Sequence, residues 1–235
     1  SYGAVISYKM AGNYDNPLFP YICVTEASTR FNEAGFLNSY FKPYDTGGKP
    51  EDASFDVSGI VNHKMPDSVL ESRKTLLETI TPLGRPVEQT AEVKKASALR
   101  VQSYALILGE SRKAFDLTSE PDSLREAYGM NRFGQSCLAA RKLVENGVPV
   151  VMVRFRGWDT HKEHFKRMDQ RLEELDSGVS SLILDLESNA LETVEGAMPR
   201  VFAISIIVRR FFCSTRPSSF LNNPCKIYAN ACTLI

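Results

Sequence analysis

Residues 148–164, VPVVMVRFRGWDTHKEH, constrain the fold of this chain more than any other segment. The first eight of them are almost all apolar, β-branched or aromatic, and Arg154 is the one charge among them. This composition predicts a strand that is buried on both faces, as in the centre of a parallel sheet. Gly147 precedes the strand, where a helix is expected to end, and Gly157 follows it, where the chain must turn.

Side chains suited to metal binding follow this turn. Asp159, His161 and His164 lie within six residues and include two of the three histidines of the chain. Thr160 and Glu163 form a Thr-x-x-Glu capping box, which predicts that a helix begins at about His161. The strand would then present a carboxylate and imidazoles at its carboxyl end, beside the positive end of a helix. Open α/β sheets bind their ligands at such a place.

A carboxylate and two imidazoles are ligand types that suit zinc, manganese or iron. With a helix starting at His161, that histidine and His164 would lie three residues apart on one helix face, and Asp159 would reach back from the turn. The same residues also fit a structural interpretation, in which Asp159 accepts backbone hydrogen bonds and the histidines are solvated groups of the first turn. Of the two histidines, His161 is the stronger candidate ligand.

Composition sets the class of protein and gives little indication of its partners. The 235 residues are enough for one large α/β domain, and 43% hydrophobic and 24% charged residues are ordinary for a globular protein. Lys plus Arg equals Asp plus Glu at 28 each, so the net charge gives no support for nucleic acid or an anionic membrane as a partner. No apolar run reaches the ~18 residues that a membrane span needs. The five cysteines contain no Cys-x-x-Cys pair, which leaves a zinc ribbon unsupported.

Helix and strand patterns on both sides of the central segment place it in a layered fold. We expect a helix over residues 1–10, a strand over 19–24, helices over 68–80, 88–117 and 131–146, a helix from about 161 with an apolar stripe over 165–186, a short helix ending at 129, and a last strand over 201–208. Gly109 is a weak point within the longest of these helices. A strand between helices predicts a layered α/β/α fold with a mainly parallel sheet.

Two segments depart from this regular pattern. Residues 34–50 contain several Gly and Pro residues, which predicts an irregular loop with four hydrophobic anchors: Phe36, Leu37, Tyr40 and Phe41. From residue 209 onward the chain shows no hydrophobic period and no capping signal. We therefore assign residues 1–187 to one α/β domain and residues 188–235 to an atypical tail that is not expected to belong to the fold.

The run that starts at Gly157, GWDTHKEHFKRMDQRLEELDSGVSSLILDL, resembles the Gly-Trp-Asp-Thr-His signature of the bacterial family called domain of unknown function 1501. Four earlier segments are similar to that family in the same order: SYGAVISYKMAG, AGFL, AFDLTSEP and YGMNRFGQSCLAARKLVENGVPVV. The resemblance covers residues 1–186, which is most of the chain. A succession of five segments is far more specific than any one motif.

This family resembles sulfatases and alkaline phosphatases in fold. The resemblance implies an alkaline phosphatase-like α/β architecture with a metal-centred site at the carboxyl ends of the strands. It implies that Asp159 and His161 occupy metal-ligand positions, with His164 as a further candidate. The implied cofactor is a divalent metal, zinc first, with manganese or calcium as alternatives. The implied partner is a small-molecule phosphate or sulfate ester, and relatives with export signals imply a periplasmic or secreted location.

Two features of the family pattern are missing from this sequence. An upstream Asp-Gly-Gly and Ser-containing motif, which should supply a further ligand and the nucleophile, would precede Ser1. A downstream strand ending in Gly-Glu-Phe-Gly-Arg-Thr and a later Arg-Asp-His are not found after Glu192. We therefore expect an incomplete version of the fold, with the nucleophile outside this chain.

Two functions follow from these patterns. In the first, the chain is a metal-dependent hydrolase in which Asp159 and His161 hold the metal while Arg154 or Arg156 steadies an anionic substrate. In the second, it is a non-catalytic sulfatase-like scaffold or surface protein. A barrel-type metal hydrolase is a weaker third alternative, because only one strand-to-histidine junction is present.

Overall fold

A computed structural model describes residues 1–26, 33–52, 55, 57, 59–61, 65–80, 91–158, 161–192 and 203–208. For residues 91–96, 98, 99, 102, 189–192 and 203–208 the description is of the backbone alone. The predicted ligand Asp159, the predicted capping residue Thr160 and the tail over 209–235 lie outside the described residues.

The described chain contains six α-helices and four strands. In order they are α1 (Tyr2–Met10), β1 (Tyr21–Val24), β2 (Tyr44–Asp45), α2 (Asp67–Ile80), α3 (Ala91–Leu108), α4 (Asp122–Tyr128), α5 (Arg132–Glu145), β3 (Val150–Phe155), α6 (His164–Glu192) and β4 (Ala203–Val208). Short 3-10 helices cover Ser39–Phe41, Glu110–Phe115 and Leu117–Ser119. Within the described part of the chain, none of the helices combines the length and the apolar character that a membrane span requires.

The strands form one parallel sheet in the order β2-β1-β3-β4. β3 is an inner strand, with Val153 paired to Val24 of β1 on one side and to Ile206 of β4 on the other. Five of its six residues are buried. The prediction of a buried strand in a parallel sheet is therefore confirmed, and so is the mixed α/β class. The last strand also forms where the sequence predicted one, while the boundary between domain and tail at residue 187 stays a prediction.

Alternation along β3 divides the core between the two faces of the sheet. Val151, Val153 and Phe155 belong to the larger cluster, which includes side chains of α5 and α6. Val150 and Met152 belong to a smaller cluster, against which Ile6 of α1 packs. Helices therefore cover both faces, and the carboxyl ends of the strands are left to the connecting turns.

One helix boundary, one loop and two of the expected anchors differ from the predictions. The helix expected over 88–117 ends at Leu108, because Gly109 is extended at φ −87° and ψ 171° and starts a 3-10 turn. The loop over 34–50 contains the two-residue strand β2, which no local hydrophobic period predicts.

Phe36 is 95% exposed and Tyr40 is 59% exposed, so neither is a buried anchor. Phe41 is half-buried and meets Tyr8 of α1 edge to face at 5.3 Å.

The two described cysteines are buried thiols. Burial raises the pKa of Cys23 from 9.0 to about 12; the nearby Asp45 adds to this rise and Arg154 opposes it. Burial likewise raises the pKa of Cys137. The thiol pKa values in the folded state exceed those of exposed thiols, so folding favours the protonated form. The stability that this form contributes is fully present below about pH 9, and it is lost as the pH rises through the folded-state pKa values.

We expect neither Cys23 nor Cys137 to react with iodoacetamide at pH 8 in the folded protein, because the thiolate is the reactive species. Both should be alkylated after unfolding in urea. Peptide mapping by mass spectrometry reads each cysteine separately. Alkylation of Cys23 in the folded protein at the rate of a free thiol would contradict the buried position.

Candidate functional site

The carboxyl ends of β1, β2 and β3 meet at one edge of the sheet, because the strands are parallel neighbours. The residues that follow these strands are Thr25 and Glu26, Thr46 and Gly47, and Arg156 and Gly157. The first turn of α5 reaches the same edge, where Nη2 of Arg132 donates to the carbonyl of Gly48 at 3.3 Å. Open α/β sheets bind ligands at this end of their strands.

The ends of β1 and β2 are joined by buried hydrogen bonds. The amide of Thr25 donates to Oγ1 of Thr46 at 2.8 Å, and the amide of Gly47 donates to the carbonyl of Thr25 at 2.8 Å. Thr25 has φ 76°, a left-handed conformation that is strained for a β-branched residue. Both threonines are buried, at 5% and 0% exposure. The backbone that carries Glu26 is therefore fixed at the edge.

An ion pair joins the ends of β1 and β3. Nη2 of Arg156 contacts Oε2 of Glu26, and both side chains are 59% exposed. An exposed pair of this kind contributes little to stability. Its effect is on position, since it holds a guanidinium directly beyond the last residue of the inner strand.

A second guanidinium lies against the next residue of the same turn. Gly157 has φ 91°, and a Cβ atom at this position would lie 2.6 Å from Nη2 of Arg171 on α6. Arg171 lies over the ring of Phe155, with Cζ 5.3 Å from the ring centroid, and Nη1 pairs with Oε2 of Glu174 at 2.8 Å. The positive φ of Gly157 therefore favours glycine for the turn, and the absence of a side chain permits the close approach of Arg171.

Aromatic side chains pack together next to the turn that follows β3. Phe155 stacks on Phe133 at 4.2 Å between ring centroids and meets Trp158 edge to face at 5.3 Å. Nε1 of Trp158 is buried and has no hydrogen-bond acceptor among the described residues. A buried N–H group of this kind usually finds an acceptor.

The predicted start of α6 is wrong. The helix begins at His164 rather than His161, because Glu163 has φ 53° in the left-handed region. The carbonyl of Glu163 accepts the amide of Arg167 at 3.0 Å, so Glu163 precedes the first helical residue and cannot occupy the N3 position of a capping box. His161 therefore precedes the helix, and the two histidines do not share one helix face.

Both histidines are exposed beyond the carboxyl end of β3, and the ring of His164 contacts Phe165 at 5.4 Å. No group of three or more His, Cys, Asp or Glu side chains within the described ranges is arranged to hold a metal ion. Asp159 lies outside the described residues, so its role as a ligand stays a prediction. By donor type, Asp159 and His161 fit a divalent metal such as zinc.

The two predicted substrate arginines occupy different places. Arg154 is half-buried within β3, and its charge acts on Cys23 on the face covered by α1. Arg156 lies past the end of the strand, at the edge where the carboxyl ends of the strands meet. Sequence reasoning missed Glu26 and Arg171. Glu26 follows β1 as Arg156 follows β3, a parallel that becomes visible only once the two strands are paired.

A family model described as "Protein of unknown function (DUF1501)" matches residues 1–194. Neither a curated protein nor a solved structure matches the chain.

Proposed function

The chain belongs to the DUF1501 family, and from the strand-to-histidine junction that follows β3 we propose that it acts in the metal-dependent hydrolysis of phosphate or sulfate esters. The proposal includes an alkaline phosphatase-like arrangement of the sheet. Its cofactor is a divalent metal, with zinc first and manganese or calcium as alternatives.

One observation carries the proposal. The inner strand of a parallel sheet ends in a turn that holds Arg156 and is followed within six residues by Asp159 and His161. Side chains that suit a metal and a cation that suits an anion thus follow one another in the chain at the edge where such sheets bind ligands, which supports the proposal. The ends of β1 and β2, which hydrogen bonds join to each other, lie at the same edge of the sheet.

Each residue of the turn has a distinct role in the proposal. Asp159 and His161 hold the metal, with His164 as a further candidate ligand. A bound divalent metal supplies Lewis-acid polarisation of the ester and a lowered pKa of a coordinated nucleophile. Arg156 binds and orients the anionic group of the ester, since a guanidinium offers paired donors to such oxygens.

Metal content tests the proposal directly. We expect the purified protein to contain about one zinc or manganese ion per chain, as carboxylate and imidazole ligands favour, and the D159N/H161A double variant to lose it. Replacement of the third histidine, His63→Ala, is the matched control and should leave metal content unchanged. Mass spectrometry of the metals provides the measurement. An unaltered metal content in the double variant would overturn the proposal.

A non-catalytic, sulfatase-like scaffold is the second candidate. The sequence favours it in one respect, because the downstream Gly-Glu-Phe-Gly-Arg-Thr and Arg-Asp-His segments of the family pattern are not found after Glu192. A panel of aryl phosphates and aryl sulfates separates the two functions. Turnover that is lost in D159N/H161A, in this chain or in a version that carries the family's upstream and downstream motifs, supports the hydrolase. Metal binding without turnover in both versions supports the scaffold.

A further inference from the structure

We infer that Arg125 forms an oxyanion-binding site between α4 and the first turns of α5, where its guanidinium receives the carboxylate, phosphate or sulfate group of a small ligand. This site uses none of the residues of the turn after β3. It depends on neither the metal nor the ester hydrolysis proposed above. The evidence for it is a buried arginine whose charge no described residue balances.

A buried glutamine holds the Arg125 guanidinium in place. Arg125 is 8% exposed and Gln135 is 0% exposed. Nε of Arg125 donates to Oε1 of Gln135 at 3.1 Å, while Nε2 of Gln135 donates to the carbonyls of Arg125 at 2.8 Å and Gly129 at 3.0 Å. The two carbonyl acceptors fix which end of the Gln135 amide is Nε2, so Oε1 must face Arg125. The glutamine thereby orients the guanidinium.

Only the Nε donor of this guanidinium is used. Among the described residues, neither Nη1 nor Nη2 of Arg125 has a hydrogen-bond partner, and no carboxylate lies within ion-pair distance. Asp122, one turn earlier on α4, and Glu126, the next residue, are both exposed and do not pair with it. The donors of both Nη groups are therefore available to a ligand.

Neighbouring cations on α5 are paired, which makes Arg125 an exception. Lys142, also 8% exposed, pairs with Glu120 at 3.2 Å and donates to the carbonyl of Asp116 at 2.6 Å. The side chain of Arg141 is 11% exposed and contacts three carboxylates. A charge that is buried without a counter-charge costs free energy, so buried cations are normally paired. An anion from outside the chain would supply the counter-charge that Arg125 lacks.

The unpaired end of the guanidinium is open to a small ligand. Neither Nη atom of Arg125 is among the fully enclosed side-chain atoms that lack a partner, so both touch solvent. Their N–H groups form a planar fork that matches two oxygens of one carboxylate, phosphate or sulfate group. Because most of the side chain is buried, water screens this charge less than it screens an exposed arginine, and the attraction of an anion is stronger.

Titration of the isotope-labelled full chain with acetate, inorganic phosphate and inorganic sulfate, at pH 7.5 and constant ionic strength, tests the inference. We expect saturable NMR shifts at the backbone amides of Arg125, Gly129 and Gln135 with at least one of these anions. Arg125→Gln should weaken this binding by about tenfold, and Arg125→Lys, which keeps the charge but loses the planar fork, by roughly fivefold. The matched control is Arg73→Gln, which removes the same charge from an exposed position on α2 and should leave the affinity unchanged.

Three outcomes would overturn the inference: no saturable shifts at these amides with any of the anions, equal affinities in Arg125→Gln and Arg73→Gln, or loss of the binding in D159N/H161A. The last arm separates this site from the metal proposal, since Arg125 should bind the anion equally well in that variant. Mapping with the unaltered protein needs no substitution, so the test stays decisive should the Arg125 variants not fold. Tightest binding of acetate identifies a carboxylate ligand, whereas tighter binding of phosphate or sulfate identifies a tetrahedral oxyanion.

Discussion

Replacing Gly134 by alanine is expected to lower the free energy of unfolding by roughly 3 kcal/mol or more. Gly134 lies in the first turn of α5, where an added Cβ atom would stand 1.9 Å from the carbonyl oxygen of Tyr128 and 2.7 Å from that of Gly129. These are backbone atoms, and they cannot move independently. The buried side chain of Gln135 donates to the carbonyls of Arg125 at 2.8 Å and Gly129 at 3.0 Å, which fixes the loop between α4 and α5.

Gly12→Ala is the matched control for this substitution. No atom lies within 4 Å of a Cβ atom at position 12, so this variant should stay within about 0.5 kcal/mol of the wild type. Urea unfolding followed by circular dichroism compares the two variants. Equal midpoints for Gly134→Ala and Gly12→Ala would contradict the close packing of α5 against the preceding loop.

Replacing Arg141 by alanine is the second substitution with a large expected effect, a loss of about 3–5 kcal/mol. The Arg141 side chain is 11% exposed and contacts the carboxylates of Glu120 at 2.5 Å, Asp185 at 3.4 Å and Glu145 at 3.6 Å. Lys142 still pairs with Glu120 at 3.2 Å, but removal of Arg141 leaves Asp185, which is 24% exposed, without this cation at the contact of α5 with α6. The hydroxyl of Tyr128, which donates to Asp185 at 2.8 Å, does not supply the missing charge.

Arg112→Ala is the control, since its pair with Asp67 has side chains 33% and 50% exposed and should contribute at most about 1 kcal/mol. Adding Asp185→Asn to Arg141→Ala should recover part of the lost stability, because it removes one uncompensated charge. Thermal and urea unfolding of the single and double variants form the cycle. Additive losses in the double variant would show that Arg141 and Asp185 are not coupled.

The elements that were predictable from sequence are those with a strong local signal. β3 is an apolar run with a single charge, and α5 is capped by Asn131, whose side chain accepts the amide of Gly134 at 2.8 Å. The misplaced start of α6 depended on the left-handed conformation of Glu163, which the turn imposes and the residue type does not favour. The exposure of Phe36 depends on tertiary packing, about which a local pattern carries no information.

The candidate site likewise contains residues that the sequence predicted and residues that it did not. Arg156 and His161 were predictable because they follow the strand directly in the sequence. Glu26 becomes part of the site only through the pairing of β1 with β3, and Arg171 only through the approach of α6 to Gly157. The first contact joins segments 130 positions apart, and the second depends on how α6 packs against the turn after β3, so no residue pattern within either segment indicates its partner.

The pairing of β1 with β3 also bears on how the chain folds. The Tyr21 hydroxyl contacts the Met152 sulfur at 3.9 Å across 131 positions of sequence, whereas α5, β3 and α6 follow one another directly. Closing so long a loop costs entropy before the neighbouring strands gain any contact. We therefore expect the pairing of β1 with β3 to form later than the local contacts of α5, β3 and α6, and until then one hydrogen-bonding edge of the apolar inner strand can pair with other chains.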